Sequence, residues 1–103
     1  MVFSFFRVEG ESMEPVYCEG DYLLVNRLGF LFRRPREGEV VVARVGLGGG
    51  GVLKRVAWVK DERVFLLGDN RGRSVDSRMY GSVPLKWVTG RVWKKIGKKA
   101  ESI

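Results

Sequence analysis

A serine hydroxyl becomes a good nucleophile only when a nearby base can take its proton. Histidine is the usual base, and this 103-residue chain contains none. That absence removes every Ser-His-Asp, Cys-His and histidine-ligated metal arrangement, and leaves lysine as the base available to a serine. Two short stretches supply the pair. In Gly10-Glu11-Ser12-Met13-Glu14-Pro15 a serine lies just past a glycine, where an apolar run ends in a turn. Such a turn exposes the hydroxyl, Gly10 leaves room for a carbonyl to approach, and N–H groups around Ser12 can face a developing oxyanion. In Leu53-Lys54-Arg55-Val56 a lysine interrupts an apolar strand. Burial lowers a lysine's pKa, by up to ~3–5 units when complete, so Lys54 can be a neutral base near neutral pH. A third stretch, residues 68–78 (Gly-Asp-Asn-Arg-Gly-Arg-Ser-Val-Asp-Ser-Arg), is dense in side chains that brace others by hydrogen bonds. The first two also have plainer readings: Ser12 as a turn residue, Lys54 as an edge-strand lysine with its head in water.

The elements that must position these groups are short strands. Residues 3–8, 21–27, 39–45, 52–60, 63–67 and 90–96 read as strands from their β-branched and aromatic content and their glycine-marked ends. Residues 52–60 and 63–67 form a hairpin closed at 60–62, and residues 46–51 are a glycine-rich connector. Residues 68–81 read as polar and irregular, and residues 84–88 as a single helical turn. With 14 glycines and 3 prolines, the pattern predicts a mostly β, compact, barrel-like domain of short antiparallel strands. One domain covers residues 1–97, and residues 98–103 are a frayed tail.

Taken in order, these stretches resemble the type I signal peptidase family. The resemblance rests on Ser12-Met13-Glu14-Pro15, on Lys54-Arg55-Val56, and on residues 68–78 followed by Gly81-Ser82-Val83-Pro84. The stretches Gly20-Asp21-Tyr22-Leu23-Leu24-Val25-Asn26 and Gly38-Glu39-Val40-Val41-Val42 are similar to the family's second and third strands. The similarity runs over roughly residues 7–93. It implies a serine endopeptidase with a Ser/Lys dyad, removing signal peptides or propeptides by cutting after small residues. Ser12 would attack the scissile carbonyl, Lys54 would take and return the proton, and Ser74 would orient the Lys54 amine. Gly10 stands where some members carry an oxyanion-hole serine, which leaves that task to backbone N–H groups, chiefly that of Ser12. Asp76 and Arg78 would form a structural ion pair. No cofactor and no metal are implied.

The chain departs from the family pattern at Val16, where threonine is common, and after Val56. There the usual Gly-x-Pro-Gly-Asp segment and an inserted β-subdomain give way to the short link 57–63. The family's membrane-spanning N-terminus is also missing, since the apolar run from Met1 to Arg7 is too short to cross a bilayer. What remains resembles the short peptidases of the same superfamily, including those that mature a nickel superoxide dismutase precursor.

Partners follow from charge and from the resemblance. Nineteen Lys and Arg against twelve Asp and Glu give a net charge of +7, which suits an anionic membrane surface or nucleic acid. A precursor substrate bound as an extended strand is expected, and nucleic acid is not. Phe30-Leu31-Phe32, followed by Arg33 and Arg34, suits an interfacial anchor or a hairpin folded on the core. Phe3 and Phe5 raise the same alternative. Cys18 reads as a small packed side chain. The expected location is membrane-associated, extracytoplasmic for a true signal peptidase and cytoplasmic otherwise. Two alternatives stand beside this reading. A self-cleaving repressor-type Ser/Lys protease shares such a core, although no helix-turn-helix and no Ala-Gly cleavage site precede Ser12. A basic nucleic-acid-binding β-barrel would use Trp58, Trp87 and Trp93 as stacking surfaces, but gives no reason for Ser12, Lys54 and Ser74 to occur together.

Overall fold

Alternation in the sequence becomes alternation in burial. A computed structural model describes residues 3–28, 30, 33–46 and 51–97. Its strands are β1 (Phe3–Arg7), β2 (Tyr22–Asn26), β3 (Val40–Arg44), β4 (Gly51–Lys60), β5 (Arg63–Leu67), β6 (Val83–Pro84) and β7 (Val88–Gly97). On β2, Leu23 and Val25 are buried while Tyr22 is exposed, the period-2 pattern of a strand with one covered face. On β3 the run Val40, Val41, Val42 and Ala43 is buried on both faces, which is why it reads as continuous rather than alternating apolar sequence.

The strands form one antiparallel sheet in the order β1-β2-β7-β3-β4-β5-β6. The mostly β expectation is met, with the last long strand inserted between the second and the third. Two apolar clusters lie on opposite faces of β3. One gathers Val8, Met13, Leu23, Val25, Val40, Val42 and Leu53, and the other Val41, Ala43, Val56, Val64, Leu66 and Val83. Burial of both faces requires the sheet to curl over on itself.

Several expectations change. Residues 68–81 are not wholly irregular: they hold a 3-10 turn at Arg71–Arg73 and a one-turn helix, α1 (Ser77–Tyr80). Asp76 caps that helix by accepting from the Arg78 N–H. A second 3-10 turn, Leu85–Trp87, stands where one helical turn was expected, and β7 begins two residues earlier than 90. Phe3 and Phe5 do not face the core; they are 36% and 71% exposed, and Phe6 packs inward instead. Phe30 packs against the second cluster, whereas Leu31 and Phe32 lie outside the described residues, as do residues 47–50 of the glycine-rich connector and the 98–103 tail. Cys18 is exposed rather than packed. The tryptophans have three different settings: Trp58 stacks on Phe65, Trp93 leans on Phe3, and Trp87 packs against the core.

The 57–63 link is the continuation of β4 into a two-residue turn, with Asp61 and Glu62 both at positive φ (51° and 62°). Such turns match the twist of a hairpin but favour glycine or asparagine. The Glu62 carbonyl accepts from the Leu85 N–H at 2.9 Å, a bond glycine would keep. Glu62 also pairs with Arg34 in an exposed ion pair, a kind of contact that contributes little. Glu62→Gly is therefore expected to stabilise the domain by about 0.5 kcal/mol. Thermal unfolding should show a midpoint roughly 2–4 °C higher; a lower midpoint would mean that the Arg34 pair outweighs the backbone strain.

Candidate active site

Ser12 lies in the turn after β1, half-buried above the fully buried Met13. Local bonds shape this turn. The Tyr17 N–H donates to the Met13 carbonyl at 3.0 Å and the Glu14 N–H to that of Glu11 at 3.2 Å. Gly10 has φ +76°, a left-handed conformation that favours glycine, and its N–H donates to Glu19 Oε1 at 3.2 Å. That amide is thus engaged within the turn.

Two successive amides of the 68–78 loop hold the serine from the other side. The Asn70 N–H donates to the Ser12 carbonyl at 2.8 Å, and the Asp69 N–H donates to Met13 Sδ at 3.5 Å. Among the described residues no hydrogen bond engages the Ser12 hydroxyl or its N–H, so both remain available to a bound molecule.

Lys54 sits on β4 opposite Val41 and is only 5% exposed. Its Nζ donates to Ser74 Oγ at 3.2 Å. Burial pushes the Lys54 ammonium below the ordinary lysine range, and the nearby Asp76 carboxylate opposes this in part. The same side chain is therefore a base at a lower pH than a surface lysine would be.

Ser74 and Asp76 are buried behind Lys54. Asp76 accepts from the Gly68 N–H at 2.9 Å, from the Arg78 N–H at 3.1 Å, and from Arg78 Nε and Nη2 at 2.9 and 3.1 Å. Burial works to raise the Asp76 pKa. The Arg78 guanidinium, these amides and the Ser74 hydroxyl outweigh it and hold the carboxyl below its usual range. Arg78 reaches further, donating to the Arg71 carbonyl at 2.8 Å. Ser77 Oγ accepts from the Leu66 N–H at 2.9 Å and ties the loop to β5.

The residues singled out in the sequence are therefore brought together. Ser12, Lys54, Ser74, Asp76 and Arg78 form one connected region, whereas Gly10, two residues before Ser12, does not line the cleft. The Lys54 amine bonds to Ser74 and not to Ser12, although Ser12 and Lys54 line the same cleft, of about 450 Å³, with Phe6, Val8, Met13 and Leu53. Its walls are two free strand edges. Among the described residues β1 pairs with β2 alone, and residues 51–54 of β4 pair with β3 but not with β5, whose ladder starts at Arg55.

Three contributors were not singled out. Arg55 grips Asp69 through two hydrogen bonds of 2.8 Å each and donates to the Gly38 carbonyl at 2.7 Å. It was read only as part of the Lys54-Arg55-Val56 stretch, with no role of its own. Met13 offers its sulfur to the loop, a role nothing in an apolar residue announces. Gly68 permits the closest approach at the site: a Cβ there would stand 2.0 Å from Ser74 Oγ and 2.8 Å from the Ser12 carbonyl oxygen.

The curled antiparallel sheet thus brings a turn serine and a buried lysine to one cleft. Comparison with known proteins gives the family. The Peptidase S24-like family model matches residues 3–91, and the chain belongs to that family. Mitochondrial inner membrane protease subunit 1 of Xenopus tropicalis is 33% identical over 84% of this chain and 65% of its own length. The subunit 1 proteins of Mus musculus and Homo sapiens are 31% identical over the same shares. The chain thus spans 65% of the length of these relatives, and the signal-peptidase-like resemblance seen in the sequence holds.

The close packing at Gly68 makes a direct prediction. Gly68→Ala should destabilise the domain by about 1–3 kcal/mol, because Ser74 and the Ser12 carbonyl cannot both withdraw. Denaturant unfolding of this variant, beside Gly72→Ala in the open part of the same loop, should show the loss only at residue 68. Equal stability of the two variants would contradict the packing argument.

Proposed function

We propose that this chain is a serine endopeptidase that trims precursor proteins, with Ser12 as nucleophile and Lys54 as general base. The observation that carries the reading is a lysine amine buried in the wall of the cleft that holds Ser12, with Ser74 fixing its direction. The relatives' name, a protease subunit of the mitochondrial inner membrane, supports the same class.

The chemistry follows from the groups present. A neutral Lys54 amine takes the Ser12 proton as Oγ attacks the scissile carbonyl. The oxyanion that forms is received by the unengaged Ser12 N–H. Lys54, now an ammonium, gives its proton to the departing amine, and an ester to Ser12 remains. Water then attacks that ester with Lys54 again as base, restoring the serine. Ser74 keeps the amine on line, while Asp76 and Arg78 keep Ser74 in place. Catalytic hydrogen bonds tighten when substrate fills the cleft, which accounts for a Lys54 amine that rests on Ser74.

The substrate is an extended segment lying between the free edges of β1 and residues 51–54 of β4, pairing with them as an added strand. Phe6, Val8, Met13 and Leu53 narrow the floor, which favours small side chains beside the cut. Association with an anionic membrane surface fits the exposed rings of Phe3, Phe5 and Trp93 beside Lys94. Among the described residues no helix is long and apolar enough to cross a membrane.

Cleavage of an extended peptide with small residues flanking the bond is the deciding test. Ser12→Ala and Lys54→Met should each lower kcat/KM by at least about 10³-fold, and Ser74→Ala by a smaller factor. The wild-type rate should rise with pH through the lowered Lys54 pKa and then level off, since only the neutral amine is a base. A flat profile, or an active Lys54→Met chain, would refute the assignment.

Lys54→Met should also stabilise the folded domain at neutral pH, by roughly 1 kcal/mol or 4–8 °C in Tm. The sign comes from linkage. With the folded pKa below the unfolded one, the lysine's contribution falls as pH drops through the folded value. The stability gap between wild type and Lys54→Met should therefore narrow as pH rises through the alkaline range; a constant gap would mean that the amine is not strained by burial.

A further inference from the structure

The cleft does not end at the bottom of the catalytic pair. Phe6 and Gly51 line it on one side and also line a second hollow, of about 140 Å³, whose walls include Ser4, Arg27, Arg44 and Thr89. Gly51 keeps the passage open. A Cβ there would stand 2.7 Å from Val42 Cγ1 and in ordinary contact, 3.5 Å, with Phe6 Cε2, so a larger residue would press on Val42.

Leu23 and Val25 on β2 and Val40 and Val42 on β3 belong to the first apolar cluster. Arg27, in the turn after β2, and Arg44, the last residue of β3, are both exposed and line the hollow beside that cluster. No carboxylate lines this hollow. Among the described residues neither Arg27 nor Arg44 takes part in an ion pair. Two guanidinium groups sharing one concavity repel each other, and an entering carboxylate removes that repulsion while accepting fork-shaped hydrogen bonds.

We propose that Arg27 and Arg44 form a cationic subsite at the far end of the substrate groove, selecting precursors with an Asp or Glu a fixed distance from the cut. The distance comes from register. Arg44 pairs with Gly51, and Lys54 lies three residues further along β4. At roughly 3.3 Å per residue that is about 10 Å. A segment paired with β4 and cut at the level of Lys54 therefore presents its third or fourth residue from the bond to the arginines. This inference rests on the groove assigned under the proposed function.

The test uses an extended peptide with small residues at the cut and a single Glu or Gln placed two to five residues away, on either side. The full chain should cleave the Glu peptide about three- to tenfold faster than its Gln partner at one position only, three or four residues from the bond. The preference should shrink as salt is added. In Arg27→Gln/Arg44→Gln the ratio should fall to about one, and Arg44→Glu should move the preference toward a Lys peptide. The affinity of Ser12→Ala for the same peptides, read by fluorescence anisotropy, should show the same ratios without any cleavage. If the wild type cuts none of these peptides, the peptidase reading fails while the affinity ratios still decide the subsite. A Ser12→Ala chain that binds Glu and Gln peptides alike, or binds neither, overturns the subsite. So does a preference unchanged in the arginine variants. Weaker binding of those variants to phosphatidylglycerol vesicles, with peptide preference intact, assigns the arginines to lipid headgroups and also overturns it.

Discussion

The amine of Lys54 is the group that the rest of the molecule has to accommodate. At 5% exposure the residue has lost most of the water that would solvate its charge, and an unpaired buried ammonium costs several kcal/mol. Releasing the proton lowers that cost, and burial drives the amine in that direction. Asp76 pulls the other way, but its charge is already committed to Arg78 and to two backbone N–H groups. The carboxylate therefore stabilises Ser74 and the loop more than it stabilises a protonated lysine. A carboxylate bonded directly to Nζ would keep the amine charged and useless as a base. Placing a hydroxyl between the two separates support from neutralisation.

The strand that carries Lys54 explains how such burial is reached in a small domain. β4 runs beside β3, whose two faces are both covered, and its early residues lie over the region where the two apolar clusters meet. Leu53 turns into the first cluster and Val56 into the second. Lys54 stands between them, closed in by Ser74 and Asp76 on the far side. The edge of residues 51–54 is left without a partner because β5 is short and its ladder begins at Arg55. Unpaired edges are normally a liability for aggregation. Here the unpaired edge borders the cleft that holds Ser12, where an incoming peptide strand could supply the missing bonds.

Local chemistry was readable from residue types, whereas long-range order was not. Strand positions followed from β-branched content and glycine punctuation, and the lack of histidine left lysine as the candidate base for Ser12. The insertion of β7 between β2 and β3 depends on how a curled sheet closes, and no neighbouring residues encode it. Phe3 and Phe5 share a parity with neither Phe6 nor Val8, yet parity alone does not say which set faces inward. α1 escaped notice because four residues carry no helical period; its cap, Asp76, was expected as the ion-pair partner of Arg78 but not as a helix cap. The Arg55–Asp69 grip joins residues fourteen apart; Asp69 read as a bracing residue of its loop, but nothing in the sequence paired it with Arg55.

The 68–78 loop is where these strands of argument meet, because it touches both halves of the pair. Its Asn70 N–H fixes the Ser12 carbonyl, its Ser74 fixes the Lys54 amine, and the absence of a side chain at Gly68 lets the two contacts come within one residue's width. Arg55 anchors the same loop to β4 and Ser77 anchors it to β5. The spacing between Ser12 and Lys54 is thus set by one braced segment lying behind the cleft. The edges that would contact substrate belong to β1 and β4, in front. A bound strand can press on those edges without moving the loop that holds serine and lysine in register.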